Sequence, residues 1–401
     1  MEICEKSKCT GCFACVNACP WGCVSMQEDA YGEMHPVIDE LNCRHCEKCK
    51  RVCPNNADVA FAHPKKCYAS WIRDSAKRSI CASGGVATIL SEYVIRKGGV
   101  VYGTAYDDFF TPRVVSAECI TDIEKFKGSK YVQSIVGEKT FCLIEKTLRE
   151  GILVLFIGTP CQVAGLKCYL QKDYENLITA DLICHGVCPT SYFKKEIAYI
   201  MKKRHLSDLS DIRFRGNDGK NYCLSLWKSN SKGNSLDKEL IYNKPRYEQP
   251  YFAGFMLGVT LRENCYTCNY ARPERIGDIT LGDFLRLGKK TPFPYEVKQP
   301  SVVLLNNDKG ETFYTEASAH LSACLVNVER DYSERLEYRP SLLEPFKRHP
   351  LYDEFRKRYP SQGFVKSIRS VLRFFIWKEK IRRIKKQWKN KIKTLLSFRT
   401  A

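Results

Sequence analysis

One cysteine spacing occurs twice in the first sixty residues, as Cys9-x-x-Cys12-x-x-Cys15-x-x-x-Cys19-Pro20 and as Cys43-x-x-Cys46-x-x-Cys49-x-x-x-Cys53-Pro54. Three thiolates on so tight a turn can wrap three corners of an iron–sulfur cube, while the fourth, ahead of proline, reaches the cube of the other repeat. The spacing therefore predicts two 4Fe–4S clusters. Cys9, Cys12, Cys15 and Cys53 hold one, and Cys43, Cys46, Cys49 and Cys19 hold the other. A zinc ribbon needs only two Cys-x-x-Cys pairs. A disulfide scaffold needs an exported chain, and Met1 to Lys8 shows no apolar signal core. So short a fragment buries little apolar surface, so its clusters are expected to supply much of its stability.

The chain has 401 residues, long enough for two or three domains, and an apolar fraction of 44% can build a proper core. No run approaches the roughly 18 apolar residues of a membrane span. With 22 cysteines and no export signal, a cytoplasmic location is expected. The net charge of +19 is concentrated at one end: thirteen Lys or Arg and a single acid, Glu379, fall between residues 365 and 401.

Residues 1–60 read as a two-cluster ferredoxin-like domain. A second segment, 65–145, reads as strand Lys66–Arg73, helix Gly85–Lys97 stopped by Gly98-Gly99, and strand Val100–Tyr106. A third, 148–335, opens with the unbroken apolar run Gly151–Gly158, which suits a strand buried on both faces. Helix Gln162–Gln171 and strand Leu177–Cys184 follow. Strands Tyr222–Lys228, Ile276–Leu281, Ser301–Leu305 and Thr312–Thr315 are read further on, the last two flanking a turn at Asn306–Gly310. The fold class is α+β: a bacterial-type two-cluster ferredoxin, then an α/β part, then a basic amphipathic helical tail.

Four later cysteines suit a third cluster. Cys161 follows one buried strand, Cys184 ends the next, and loops at the carboxyl ends of parallel strands converge on one crevice. Cys265 and Cys268 add an adjacent pair of thiolates. From spacing alone, buried structural cysteines explain these positions equally well, zinc is the competing metal, and Cys168 and Cys188 lie close enough in sequence to confuse the assignment.

Four motifs occur in order: Ser83-Gly84-Gly85-x-x-Thr88, Gly128-Ser129-Lys130-Tyr131-Val132-Gln133-Ser134, Gly158-Thr159-Pro160-Cys161-Gln162 and Arg275-x-Gly277-Asp278-x-x-x-Gly282-Asp283. Together they resemble the coenzyme F420 hydrogenase/dehydrogenase beta-subunit family, here behind a two-cluster ferredoxin. The resemblance implies an oxidoreductase with bound FAD and a 4Fe–4S cluster on Cys161, Cys184, Cys265 and Cys268. It also implies that Ser83, Gly84, Gly85, Thr88, Gly128, Ser129, Lys130 and Tyr131 contact the FAD. A glycine-led helix start does favour phosphate, although an ordinary helix capped by Ser83 accounts for the same residues. Gly186-Val187-Cys188-Pro189 departs from the family pattern by an extra cysteine, which leaves Cys188 as an alternative ligand to Cys184. His185, Asp278 and Asp283 are candidates for tuning or orienting roles, and no residue identifies F420 as the substrate.

In the tail, apolar residues recur at 365, 368, 372, 375, 381, 384, 388, 392 and 395, one face of a helix otherwise filled with Lys and Arg. A basic helix with an aromatic, apolar side suits an interfacial membrane contact, with docking on the protein's own core or a partner's, or a solvated tail, as the alternatives. Nucleic-acid binding is set behind membrane or partner docking, because no reader motif accompanies the charge. The other partners expected are a redox protein or a small organic substrate.

Overall fold

The computed structural model describes residues 1–216, 222–229 and 238–397. The N-terminal unit is built on its repeat. Gly11 and His45 occupy equivalent places in the two cysteine runs, and both have positive φ, 64° and 51°. Phe13 and Glu47, again equivalent, have φ of 67° and 57° and lead into the short helices Ala14–Ala18 and Lys48–Arg51. Two left-handed residues in each run curl the chain tightly enough to turn successive thiols inward. A hairpin of Val24–Glu28 against Met34–Ile38 completes the unit.

The segments expected at 65–145 and 148–335 do not form separate sheets; they interleave in one. Its nine strands lie in the order Leu325–Arg330, Lys66–Ile72, Ser301–Leu305, Ile279–Asp283, Leu177–Leu182, Val154–Gly158, Val100–Tyr106, Pro112–Ala117 and Ile135–Val136. The four central strands, from Ile279–Asp283 to Val100–Tyr106, run parallel. Their apolar runs are buried on both faces, as all-parallel strands require. A three-stranded antiparallel sheet, Asp211–Arg213, Cys223–Ser229 and Lys238–Pro245, stands apart from it.

Helix Val86–Arg96 follows Gly85, whose φ of 85° makes it the entry residue, and Gly98 stops it at φ 75°. Ser83 does not cap this helix. Its hydroxyl bonds that of Ser301 at 2.9 Å. Helix Pro160–Leu170 begins two residues earlier than the sequence suggests, because Gln162 Oε1 accepts from the Thr159 N–H at 3.0 Å and closes the first turn. Strand Leu177–Leu182 ends two residues before Cys184, which lies in the following loop.

Thr312–Thr315 is not a strand. It lies inside helix Asp308–His320, which Asn307 caps by accepting from the Gly310 N–H at 2.8 Å. The Asn–Asn–Asp–Lys–Gly run is thus a helix start. Gly310 is there because a Cβ would collide with the Asp278 carbonyl.

The tail helix, Tyr352–Ser397, starts before the prolines end and is broken at Gly363, where φ is 68°. Residues 398–401 of the expected tail lie outside the described residues. Before the break, Arg356 pairs with buried Glu33 at 2.7 Å and lies over the Tyr31 ring, so this stretch straps the N-terminal unit to the rest. After it, Phe364, Ile368, Leu372 and Ile376 pack with helices Thr190–Arg204 and Pro250–Leu257. The face read at 365, 368, 372 and 375 is therefore largely core. No helix among the described residues is long and apolar enough to cross a membrane.

Candidate functional site

The thiols of each expected set lie together. Cys4, Cys9, Cys12, Cys15 and Cys53 line one small enclosed space. Burial pushes Cys12 and Cys15 up, with neighbouring thiols of the same set adding to both shifts. Cys4, which the repeat does not predict, sits with Cys9 and Cys53 around this space and pushes their titration apart from its own. Its proton stays on, and those two thiols are held down, Cys9 to about 4 and Cys53 to about 7. In the second set, burial and then Cys19 and Cys46 raise Cys49. Cys19 Sγ accepts from the Cys23 N–H at 3.2 Å, and Cys43 Sγ from the His45 N–H at 3.4 Å. All four thiols of the first set are buried, whereas Cys46 of the second is exposed.

Cys161, Cys184, Cys265 and Cys268 also meet. Burial raises Cys184 to about 12, and Cys161 and Cys268 contribute. Cys268 rises to about 11 from burial and then Cys161. Cys265 is pushed higher by burial, Cys268 and Cys184. Cys184 Sγ accepts from the Gly186 N–H at 3.4 Å. The extra cysteine, Cys188, turns away into the core and reaches Thr260 Oγ1 at 3.1 Å. Among the described residues no three Cys, His, Asp or Glu side chains crowd onto one point as a single zinc ion requires.

The first and third sets are close. Gly165 packs on Cys12, so a Cβ there would stand 3.0 Å from Cys12 Cβ and 3.1 Å from Sγ. Arg262, fully buried, donates to the Cys9 and Met34 carbonyls, Gln133 Oε1 and Asn264 Oδ1 at 3.0–3.2 Å. No carboxylate pairs with it among the described residues. Its charge instead lowers the Cys9, Cys161 and Cys265 thiols against their burial.

Beyond Cys184 a cavity of about 720 Å³ opens at the carboxyl ends of the parallel strands. Ser83, Gly85, Thr88, Gly128, Ser129, Lys130 and Tyr131 all line it. Gly84 does not; a Cβ there would collide with the Ser70 carbonyl and stand 2.7 Å from Ser301 N, so its smallness serves strand packing. The lining carries Lys127, Lys130, Arg215, Arg246, Arg286 and Arg335 against one acid, Asp283. Asp283 accepts from Arg215 at 2.6 Å and from Tyr222 at 2.7 Å, fixing both. Arg215 Nε is buried without a hydrogen-bond partner among the described residues. Burial brings Lys130 down to about 7.

Other expectations change role. His185 borders the cavity, but its Nε2 bonds the Phe255 carbonyl at 3.1 Å, its ring packs on Phe346, and burial lowers it to about 4, so it is neutral. Asp278 is structural: it accepts from Thr179 N–H at 2.7 Å and from Asn307 at 2.8 Å. Arg215, Tyr222, Arg246 and Arg262 were missed because isolated arginines and tyrosines carry no spacing signal. Asp181 had one: a lone carboxylate in a buried apolar run needs a cation, and Arg275 supplies it at 2.5 Å.

Residues 152–330 match the family described as the C terminus of the coenzyme F420 hydrogenase/dehydrogenase beta subunit, and residues 8–57 match the 4Fe–4S dicluster domain. Residues 152–330 belong to that beta-subunit family, behind a dicluster ferredoxin. An uncharacterized protein of Methanocaldococcus jannaschii is 26% identical over 208 residues, 44% of this chain and 56% of that protein. The chain thus spans little more than half the length of this relative. An uncharacterized ferredoxin of the same organism is 34% identical over 65 residues, 16% of this chain and 83% of that one. A chain from a xenon-derivatised structure of the F420-reducing NiFe hydrogenase complex of Methanosarcina barkeri is 16% identical, with a TM-score of 0.38, over 78% of this chain and 94% of that chain.

Proposed function

We propose that this chain is an iron–sulfur flavoprotein oxidoreductase that passes electrons between its ferredoxin clusters, a third 4Fe–4S cluster and FAD. The convergence of seven of the eight expected FAD contacts on one cationic cavity, walled by Cys184, carries the reading. The cavity lies within the ~300–1,000 Å³ of cofactor sites, and the partnerless Arg215 Nε is a buried donor suited to a phosphate oxygen. The start of helix Val86–Arg96, uncapped by any side chain, offers its free N–H groups to the same anion.

FAD would supply both single-electron and hydride chemistry at one place. The protein's residues do the rest. Arg215, held by Asp283, fixes the pyrophosphate; Tyr131, stacked on Phe255 at 5.0 Å, gives a flat apolar wall. Cys161, Cys184, Cys265 and Cys268 ligate the third cluster, with Cys188 left in the core. The eight ferredoxin cysteines ligate the other two, and the exposed side of Cys46 is the end that meets a redox protein. The substrate is a small organic molecule or coenzyme, F420-like or other. The proposal includes peripheral membrane contact through the basic end of the tail helix.

Anaerobic reconstitution followed by iron and flavin quantification tests the core of the reading. Iron near twelve per chain with bound FAD is expected from three clusters of four. Iron near eight removes the third cluster, and iron without flavin recasts the chain as an electron-transfer subunit of a larger complex.

A further inference from the structure

The membrane reading can be given a lipid-binding site, on which it does not itself depend. Between helix Thr190–Arg204, strand Lys238–Pro245 and the tail helix lies a groove of about 470 Å³. Its walls carry Lys203, Arg204, Lys244, Arg369, Arg373 and Lys380. Two of the nearby carboxylates are already used. Glu196, fully buried, is paired by Arg369 at 2.7 Å. Glu248, the one carboxylate in the groove wall, is paired by Arg383 through Oε1 at 2.7 Å, and its Oε2 has no hydrogen-bond partner among the described residues, which leaves one acid against six cations. No carboxylate among the described residues pairs with Lys203, Lys244, Arg373 or Lys380. A groove with this imbalance attracts an anion, and phosphate accepts from several cations at once.

Charge alone does not separate a lipid headgroup from a soluble phosphate or a nucleic acid. The apolar surface beside it does. Trp377 lines the groove and also belongs to a largely exposed stripe in which Ile381 is half-buried. Phe374, Trp377, Ile381, Ile384 and Trp388 follow steps of three and four, so they share one side of the helix. Phe374, Trp377 and Trp388 are 62, 55 and 67% exposed, and the first two stack on one another at 5.7 Å. At 100° per residue, Arg373 and Lys380 flank the stripe on one edge and Lys378, Lys385 and Lys389 on the other. A soluble anion would have no use for such a stripe, whereas the boundary between headgroups and acyl chains takes both parts.

We propose that the groove seats the phosphate headgroup of an anionic lipid while the stripe from Phe374 to Trp388 enters the membrane interface beside it. The strap at Arg356 and the docked turns from Phe364 to Ile376 then hold the flavin cavity and the clusters at a fixed height above the surface.

Sedimentation of the reconstituted full chain with vesicles tests this, using phosphatidylcholine alone and with about one third phosphatidylglycerol. The chain should bind only the anionic vesicles, with a blue shift of tryptophan emission that Trp377→Ala and Trp388→Ala reduce. Lys203→Gln with Lys244→Gln, both off the tail, should weaken binding about thirty-fold, from roughly fivefold per basic residue at a membrane surface. If that double variant binds like the unaltered chain, the groove is not the headgroup site, although the tail still docks. If the unaltered chain ignores both vesicles, the membrane reading itself fails. Release from vesicles by duplex RNA at equal phosphate concentration would assign the groove to nucleic acid instead.

Discussion

Arg262 gives the sharpest test of how the ferredoxin unit is joined to the α/β domain. Its guanidinium is fully buried and makes four hydrogen bonds, two to carbonyls of the N-terminal unit and two to amide side chains. Arg262→Met keeps most of the stem and removes every donor. The Cys9 and Met34 carbonyls would then be buried without partners, at about 1–3 kcal/mol each. Gln133 loses its acceptor contact too, and its Nε2 already lacks a partner among the described residues. Against this stands the relief of a buried charge, which holds the net loss to about 2–4 kcal/mol. Anaerobic melts should show a midpoint lowered by roughly 5–10 °C. Limited proteolysis should release a fragment near residue 60 that the unaltered protein protects. The positive charge also favours the thiolates of Cys9, Cys161 and Cys265, so its loss should lower the reduction potentials of the first cluster and the proposed third one. Arg262→Lys should restore the potentials more than the stability, since an ammonium keeps the charge but not the fork of donors. A melt within about 1 °C of the unaltered protein, with unchanged proteolysis, would refute the role assigned to this side chain.

Three further outcomes are expected. Gly165→Leu, which drives a side chain into Cys12, should cut iron bound by the first cluster while leaving the proposed flavin in place, measured by iron and flavin content. Cys184→Ser should remove the absorbance of the proposed third cluster, whereas Cys188→Ser should keep it and cost only modest stability. Lys130, at about 7 when folded, binds fewer protons than the unfolded chain between that value and its ordinary range of about 10.4. Its penalty is therefore full below about pH 7 and fades as pH rises. The melting temperature of the unaltered protein should accordingly gain on that of Lys130→Met between about pH 6 and 9, and parallel curves would contradict the burial of this amine.

Much of the site was legible because clusters impose spacing on the chain. The doubled run located eight thiols, and the strand-end rule alone brought Cys161 and Cys184 to one crevice. The choice between Cys184 and Cys188 was not legible, since four residues in a loop can present either thiol. Gly84 and Gly85 look alike in sequence, but only one faces the cavity; the other is set by how closely strand Lys66–Ile72 passes. Thr312–Thr315 was misread because a β-branched, aromatic run resembles a strand unless the cap ahead of it is recognised. In the tail, the periodicity was correctly helical, yet two apolar stripes overlap on one helix, and burial alone separates the docked one from the exposed one.

The sheet order has a consequence for how the protein is made. Strand Lys66–Ile72 takes its place between Ser301–Leu305 and Leu325–Arg330, more than two hundred residues later in the chain. A ribosome finishes the ferredoxin unit early and then synthesises most of the remaining chain before that strand has either neighbour. Helix Pro160–Leu170 meanwhile comes to lie on Cys12 through Gly165. Iron delivery to the first cluster therefore has a natural window, opening when residue 57 is made and narrowing as the later helix settles over it. Assembly machinery that arrives after the sheet has closed meets a covered thiol.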